Sequence, residues 1–307
     1  MGVFFASIYG FRPAAWLKIT GEDAFGFLQG QFTNDLKAPP GSVTYGLWLN
    51  QKGKVLADSH VLREGANQFR LLSDHSSAAT IVQRLDRYVI ADDVVIEDQT
   101  EAVRGLVICP NETGREPLAS LLGGLPGPGK AIQVDGSWIF RGRRSASENY
   151  ELIGSEAAVA ELQKRLIAAG CVEVGAAEIE LARISSVIPA VPEDIGAGDL
   201  PNEAGLEKEA ISFTKGCYLG QEVMARLKNL GQVRRQLQRV RGKGMAPKLG
   251  TPLFQGEKKT GEIRSAVSSG EGFVALAMLT RLGLDEKTGF NFEPGTGPGL
   301  DAELWTN

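Results

Sequence analysis

The 307-residue chain is poor in histidine and cysteine and has no long apolar run. With only His60 and His75, a histidine-based triad or a multi-histidine metal site lacks members. Cys109, Cys171 and Cys217 are scattered without a CxxC pair, which argues against a disulfide scaffold and against a cysteine zinc site. No apolar stretch approaches the roughly 20 residues that a membrane span needs. The opening MGVFFASIYGFRPAAWLKIT has no basic n-region, so no signal peptide and a cytoplasmic location are expected. Net charge is −4, so any nucleic-acid role must rest on a local patch. What remains for chemistry is carboxylates, lysines and thiols.

The length suggests two or three domains. AAWLKIT (14–20) reads as a strand, and Phe25, Leu28 and Phe32 follow near helical spacing. VTYGLWLN (43–50) and KVLADSHVL (54–62) alternate on either side of a turn and read as a hairpin. It places Leu56, Asp58, His60 and Leu62 on one face, so Asp58 and His60 are expected to share a cavity. Residues 74–88 read as a helix capped by Asp74. Further strands and helices alternate to about residue 230, an α+β pattern of the split-βαβ kind. After Gly231, short strands between Gly and Pro turns suggest a β-barrel.

GLPGPGK (124–130) matches GxxxxGK by letter, but Ala131 stands where a P-loop needs a hydroxyl and two prolines remove backbone donors; it reads as a loop. FTKGCYLGQEVMAR (213–226) is different. Gly216 and Gly220 permit close approach to Cys217, Lys215 adds positive charge, and a helix over YLGQEVMAR would put the thiol near its N-terminus. The alternative is a small packed thiol. From Arg226 to Lys248 there are eight Lys/Arg and no acid, a stretch suited to tRNA phosphates, a folyl-polyglutamate tail or an acidic partner, or else a solvated face.

ISFTKGCYLGQEVMAR resembles the signature of the YgfZ family, folate-binding proteins related to the glycine-cleavage T-protein, an aminomethyltransferase; ITGEDAFGFLQGQFTNDL, LPNEAGLEKEAISF and TGEIRSAVSSGEGFVALAML extend the likeness over nearly the whole chain. The resemblance implies two ferredoxin-like (split βαβ) α/β domains and a C-terminal β-barrel around a folate-sized cavity. The expected parts are residues 1–45 with 147–230, residues 46–146, and residues 231–307. It also implies a role in making or maintaining iron–sulfur proteins, with Lys215 and Cys217 as functional side chains.

Asp58, in LNQKGKVLADSHVL, resembles the T-protein aspartate placed by the reacting nitrogen of folate; an exposed strand aspartate is the other reading. Glu151, in SENYELIG, resembles the glutamate that binds the pterin's amino-pyrimidine edge, where two acceptors match two donors; a strand-end surface glutamate is the alternative. Arg183 matches an arginine in a family stretch that often reads R-x-E-A-G, but Ser185 and Val187 replace that glutamate and glycine. The leading expectation is a tetrahydrofolate-binding accessory protein for iron–sulfur cluster assembly or repair using the Cys217 thiol. Its cofactor would be tetrahydrofolate or a one-carbon derivative, and its partners iron–sulfur clients or assembly proteins. The alternatives are a folate-dependent aminomethyltransferase acting through Asp58, and a non-enzymatic folate- or tRNA-binding scaffold in which Arg234 and Arg235 matter.

Overall fold

Strand alternation lays down the first sheet of the computed structural model, which describes residues 4–230, 233–295 and 301–305. β1 (Ala6–Phe11) leaves for a second sheet. The chain then forms β2 (Ala15–Thr20), β3 (Ser42–Leu49), β4 (Val55–Arg63), β5 (Gln68–Ser73) and β6 (Val95–Asp98), ordered β3-β4-β5-β2-β6. Their alternate side chains Leu17, Trp48, Ala57, Phe69 and Leu71 bury against α1 (Ala24–Gln31) and α2 (Ala78–Asp86). The β3–β4 hairpin forms as expected, with Tyr45 opposite His60 and Leu47 opposite Asp58. Asp74 does not cap α2. Ser77 is the N-cap, its hydroxyl accepting from Thr80 N at 3.2 Å, and Asp74 instead pairs with Arg144 at 2.6 Å.

The second sheet uses β7 (Val103–Pro110), β8 (Ala131–Val134), β9 (Ser137–Arg141), β10 (Tyr150–Ser155) and β11 (Val172–Glu173), ordered β11-β1-β7-β10-β9-β8. GLPGPGK is a loop leading into β8. α3 (Arg115–Leu122) and α4 (Glu156–Ala168) cover the outer face through Leu118, Leu122, Val159, Leu162 and Leu166. The inner faces of the two sheets meet: Trp16, Leu62 and Leu72 pack on Val103, Phe140 and Ile153. The result is a helix–sheet–sheet–helix stack in which each buried side chain of this size contributes about 1.5–3 kcal/mol.

The sheets divide the chain elsewhere than at residues 45 and 146. The first sheet is one continuous stretch, whereas the second is discontinuous because β1 pairs with β7 along its length and with β11. Those pairings join residues 94 or more positions apart, and local periodicity carries no trace of them.

α5 (Ala176–Ser185) and α6 (Gln221–Leu230) precede the C-terminal unit. Gly231, where the barrel was expected to begin, lies outside the described residues. β12 (Arg235–Lys243), β13 (Pro252–Gln255), β14 (Lys258–Ser269), β15 (Gly272–Thr280) and β16 (Glu303–Leu304) form an antiparallel sheet ordered β13-β14-β15-β12-β16. Phe290 bridges to Ala302 and Asn291 to Phe254, linking the two edges and curling the sheet into a barrel. Ile184 of α5 docks on the barrel through Leu237, Leu276 and Met278. Among the described residues no helix is long and apolar enough to cross a membrane.

Candidate functional site

The apolar layer between the sheets ends where β4 continues from Leu62 to His60 and Asp58. There a narrow cavity of about 20 Å³ opens, lined by Tyr45, Asp58 and His60 of the hairpin, Ser73 and Asp74 at the end of β5, and Arg143 and Arg144 between β9 and β10. That is room for about one water molecule, far below the roughly 300–1,000 Å³ of ligand cavities, so a ligand enters only if the walls part. Asp58 and His60 share it because period-2 alternation puts both on one strand face, as read from the sequence.

Asp58 is held by three hydroxyls. Tyr45 OH donates to Oδ2 at 3.0 Å, and Ser73 Oγ and Ser76 Oγ approach Oδ1 at 2.9 and 2.8 Å. Ser76 Oγ also accepts from Asp58 N at 3.0 Å and lies 2.8 Å from the Val191 carbonyl. Burial raises the Asp58 pKa; the serine and tyrosine hydrogen bonds and the Arg143 charge oppose that rise without cancelling it. The outcome is a fixed carboxylate with more than ordinary basicity facing a cavity. Arg143 stacks 3.7 Å from the Tyr45 ring centroid and pairs with Glu209. His60 is wedged between Tyr45 and Phe140, ring centroids 5.1 and 5.2 Å away, and burial pushes its pKa down to about 3. It is neutral at ordinary pH and serves as wall.

Glu151, on the central strand β10, is fully buried and does not itself line the cavity. It connects to the lining through Arg144, whose Nε donates to Oε1 at 3.3 Å and whose Nη2 pairs with Asp74. Oε2 accepts no hydrogen bond. Burial, and then the Asp74 charge, push the Glu151 pKa up to about 8, so at neutral pH this carboxyl keeps a proton that it shares with Asp74.

Arg183, expected to bind a cofactor, is occupied otherwise. Nε donates to Glu180 at 2.9 Å, Nη1 to Asp194 at 2.6 Å and to the Ile188 carbonyl at 2.5 Å, and Nη2 to Ser265 at 3.0 Å and to Glu180. A guanidinium has five N–H donors, and all five are engaged within the protein. Arg183 lines the cavity but acts as a rivet between α5, the 188–194 loop and β14. Beyond it, Val187 takes a left-handed conformation, φ 55°, where the family stretch often has glycine.

The Cys217 segment also differs from the expectation. The Lys215 ammonium donates to the carbonyls of Phe32 at 2.6 Å and Asn34 at 2.9 Å, clipping the motif to the end of α1, and burial pulls its pKa down to about 8. α6 begins only at Gln221, four residues after Cys217, beyond the single turn over which a helix terminus acts. Neither the lysine charge nor the dipole is therefore aimed at the thiol. Cys217 is exposed, and a side chain at Gly216 would meet nothing within 4 Å, so the approach to the thiol is open. Gly220 has a different role: its φ is +87°, and a Cβ there would lie 2.9 Å from the Asn50 carbonyl, so only glycine lets α6 start against the hairpin turn.

The basic stretch is tied down in part. Arg235 pairs with Asp199 and Glu203 at 2.9 and 3.0 Å, Arg241 with Glu303 at 2.8 Å, and Arg239 stacks on Trp305. Arg226, Arg234, Lys243 and Lys248 are exposed, and the Lys228 side chain lies outside the described residues. Tyr45, Ser73, Ser76 and Arg143 carry no sequence motif that marks them as site residues. The only local signal for any of them is the Arg143-Arg144 doublet ahead of β10.

Residues 7–112 match the family model described as the GCVT N-terminal domain. The mouse "Iron-sulfur cluster assembly factor IBA57, mitochondrial" is 28% identical over 286 residues, covering 86% of this chain and 75% of its own. The "tRNA-modifying protein YgfZ" of Escherichia coli O45:K1 is 27% identical over 269 residues, covering 85% of this chain and 81% of its own. Among solved structures, aminomethyltransferase T of the glycine cleavage system from Bartonella henselae superposes with a TM-score of 0.76 over 90% of this chain and 79% of its own, at 18% identity. The chain thus has the T-protein fold, matches the GCVT N-terminal domain over residues 7–112 and is similar over most of its length to YgfZ and IBA57.

Proposed function

We propose that this protein is a tetrahydrofolate-binding accessory factor of iron–sulfur cluster assembly or repair, working in the cytoplasm, with the exposed Cys217 thiol as its reactive group. The relatives' names support the coarser part, a role in iron–sulfur cluster assembly or tRNA modification. One observation carries the folate part: a small cavity with a pinned carboxylate, Asp58, on one wall, joined through Asp74 and Arg144 to a buried carboxyl, Glu151, with an unsatisfied oxygen. The proton that Glu151 shares with Asp74 can give way to a ligand donor that takes Asp74's place.

These residues fit a reduced pterin. Asp58 would face its reacting nitrogen, and Glu151, which lies behind Arg144 and Asp74, would accept from the 2-amino-pyrimidinone edge only once those side chains move aside and it releases the proton shared with Asp74. Bound tetrahydrofolate supplies a carrier for one-carbon units; the protein's part is to orient it and hold a base at Asp58 Oδ. Arg183 holds the cavity wall rather than the ligand, and Lys215 holds the motif in place. At Cys217 the open approach favours an incoming macromolecular client, with the thiol as the group it meets.

The second reading, an aminomethyltransferase acting through Asp58, draws on the same hydroxyl-pinned carboxylate. Cys217→Ser and Asp58→Asn separate the two. The accessory reading requires loss of iron–sulfur enzyme activity in cells carrying Cys217→Ser, with tetrahydrofolate affinity unchanged. If Asp58→Asn is the severe lesion and Cys217→Ser is tolerated, the transferase reading replaces it. The ion pairs of Arg235 remove one of the two arginines on which the scaffold reading rests, while Arg234 stays exposed.

A further inference from the structure

We propose that the recess between the β3–β4 turn and the C-terminal end of α2 is a binding site for the phosphate group of a small ligand. It has a volume of about 420 Å³, opens to solvent and shares no lining residue with the Asp58 cavity. Lys52 comes from the turn, Arg84, Arg87 and Tyr88 from the helix and its end, and the lining contains no carboxylate.

The central feature is Arg84, only 5% exposed. Its Nε donates to the Leu49 carbonyl at 3.0 Å and its Nη1 to Gln31 Oε1 at 2.9 Å, both neutral acceptors. The guanidinium lies 4.6 Å from the Tyr88 ring centroid. Nη2 has no hydrogen-bond partner, and no Asp or Glu forms an ion pair with Arg84 among the described residues. The other buried arginines among the described residues, Arg144 and Arg183, each have a carboxylate beside them. A buried cation without a counter-charge is unfavourable, and the charges that line the recess with it, Arg87 and Lys52, are of the same sign.

The partial negative charge at the α2 C-terminus explains why arginines sit in its last turn. It does not satisfy Nη2, and it does not account for Lys52 arriving from another element. A doubly charged tetrahedral oxyanion accounts for both, because it offers several acceptors to donors converging from two directions. Asn50 uses Oδ1 to accept from Lys52 N and Lys54 N at 2.9 and 3.1 Å, which leaves Nδ2 as a further donor. A small ligand is favoured over a nucleic-acid backbone because the strongest donor is buried at the base of a recess, whereas backbone phosphates are tracked by exposed rows of cations.

The test is calorimetric titration of the full-length protein with inorganic phosphate at constant ionic strength, beside Lys52→Ala and Arg87→Ala. Both positions are exposed, so neither change threatens the fold. Saturable one-site binding, weakened about tenfold by each substitution, is expected. In wild type phosphate should also raise Tm, and in Arg84→Lys that rise should vanish; if Arg84→Lys fails to fold, the two rim variants carry the test alone. The proposal is overturned by absence of saturable binding or by equal affinity in the rim variants. It is also overturned if glutarate binds as tightly as phosphate, which would make the recess a carboxylate site. Tighter binding of a ten-nucleotide oligouridylate with the same variant pattern would make it part of a nucleic-acid surface instead.

Discussion

Replacing Glu151 by glutamine should change how stability depends on pH more than it changes stability itself. Folding raises the Glu151 pKa from 4.5 to about 8, chiefly through burial and then through the Asp74 charge. The folded carboxyl thus holds its proton more tightly than the unfolded one. Its contribution to stability is complete below pH 4.5, declines as pH rises, and is gone above about 8. Each tenfold gain in proton affinity corresponds to about 1.4 kcal/mol, so the loss across that window reaches about 5 kcal/mol as an upper order of magnitude. Glutamine is isosteric, never ionises, and its amide donates toward Asp74 as the protonated acid does. The Asp58 pKa is also raised by burial, but Asp58 titrates in both proteins and cancels in the comparison. Urea unfolding between about pH 5 and about pH 8.5 should therefore give near-equal stability at the acid end and an advantage of several kcal/mol for Glu151→Gln at the alkaline end. Parallel curves would refute the shared-proton picture of the Glu151–Asp74 pair.

Other substitutions probe the remaining assignments. Val187→Gly should change stability by no more than about 1 kcal/mol, since relief of roughly 1–2 kcal/mol of strain at φ 55° is offset by chain entropy and by the lost packing of this partly buried side chain; a loss above about 2 kcal/mol would contradict it. Lys215→Met should cost about 2–4 kcal/mol in chemical denaturation, because the Phe32 and Asn34 carbonyls lose a charged donor. A loss under about 0.5 kcal/mol would mean that the clip contributes little. Cys217→Ser, at an exposed position, should leave stability within about 0.5 kcal/mol while abolishing iron–sulfur enzyme activity in cells dependent on this chain; retained activity would remove the thiol from the account.

The β3–β4 hairpin is legible in the sequence because alternation decides which face each residue takes, and that alone brings Asp58 and His60 to one cavity. The cap of α2 is not, because Asp74 and Ser77 both suit an N-cap locally, and only the distant Arg144 draws Asp74 away. The second sheet's makeup is hidden for a similar reason: β1 pairs with a strand about a hundred residues later, and no short window contains that information. The hydroxyls around Asp58 come from Tyr45, Ser73 and Ser76, ordinary residues whose convergence is a property of the fold. The KGCYLGQE motif puts Cys217 and Lys215 side by side in sequence, yet the lysine is bonded to main-chain carbonyls and α6 starts too late to act on the thiol. Resemblance located the segment; geometry assigned its side chains different tasks.

Calorimetric titration with tetrahydrofolate near pH 6 and near pH 8, in wild type, Glu151→Gln and Asp58→Asn, is the most direct examination of the folate cavity. Binding that requires Glu151 to release a proton strengthens as pH rises to about 8, by up to about tenfold for each pH unit. Wild type should thus bind saturably and more tightly at the higher pH, both variants should bind more weakly, and Glu151→Gln should lose the pH dependence. No saturable binding by wild type at either pH would contradict the account, leaving a T-protein scaffold that has kept its shape without its cofactor.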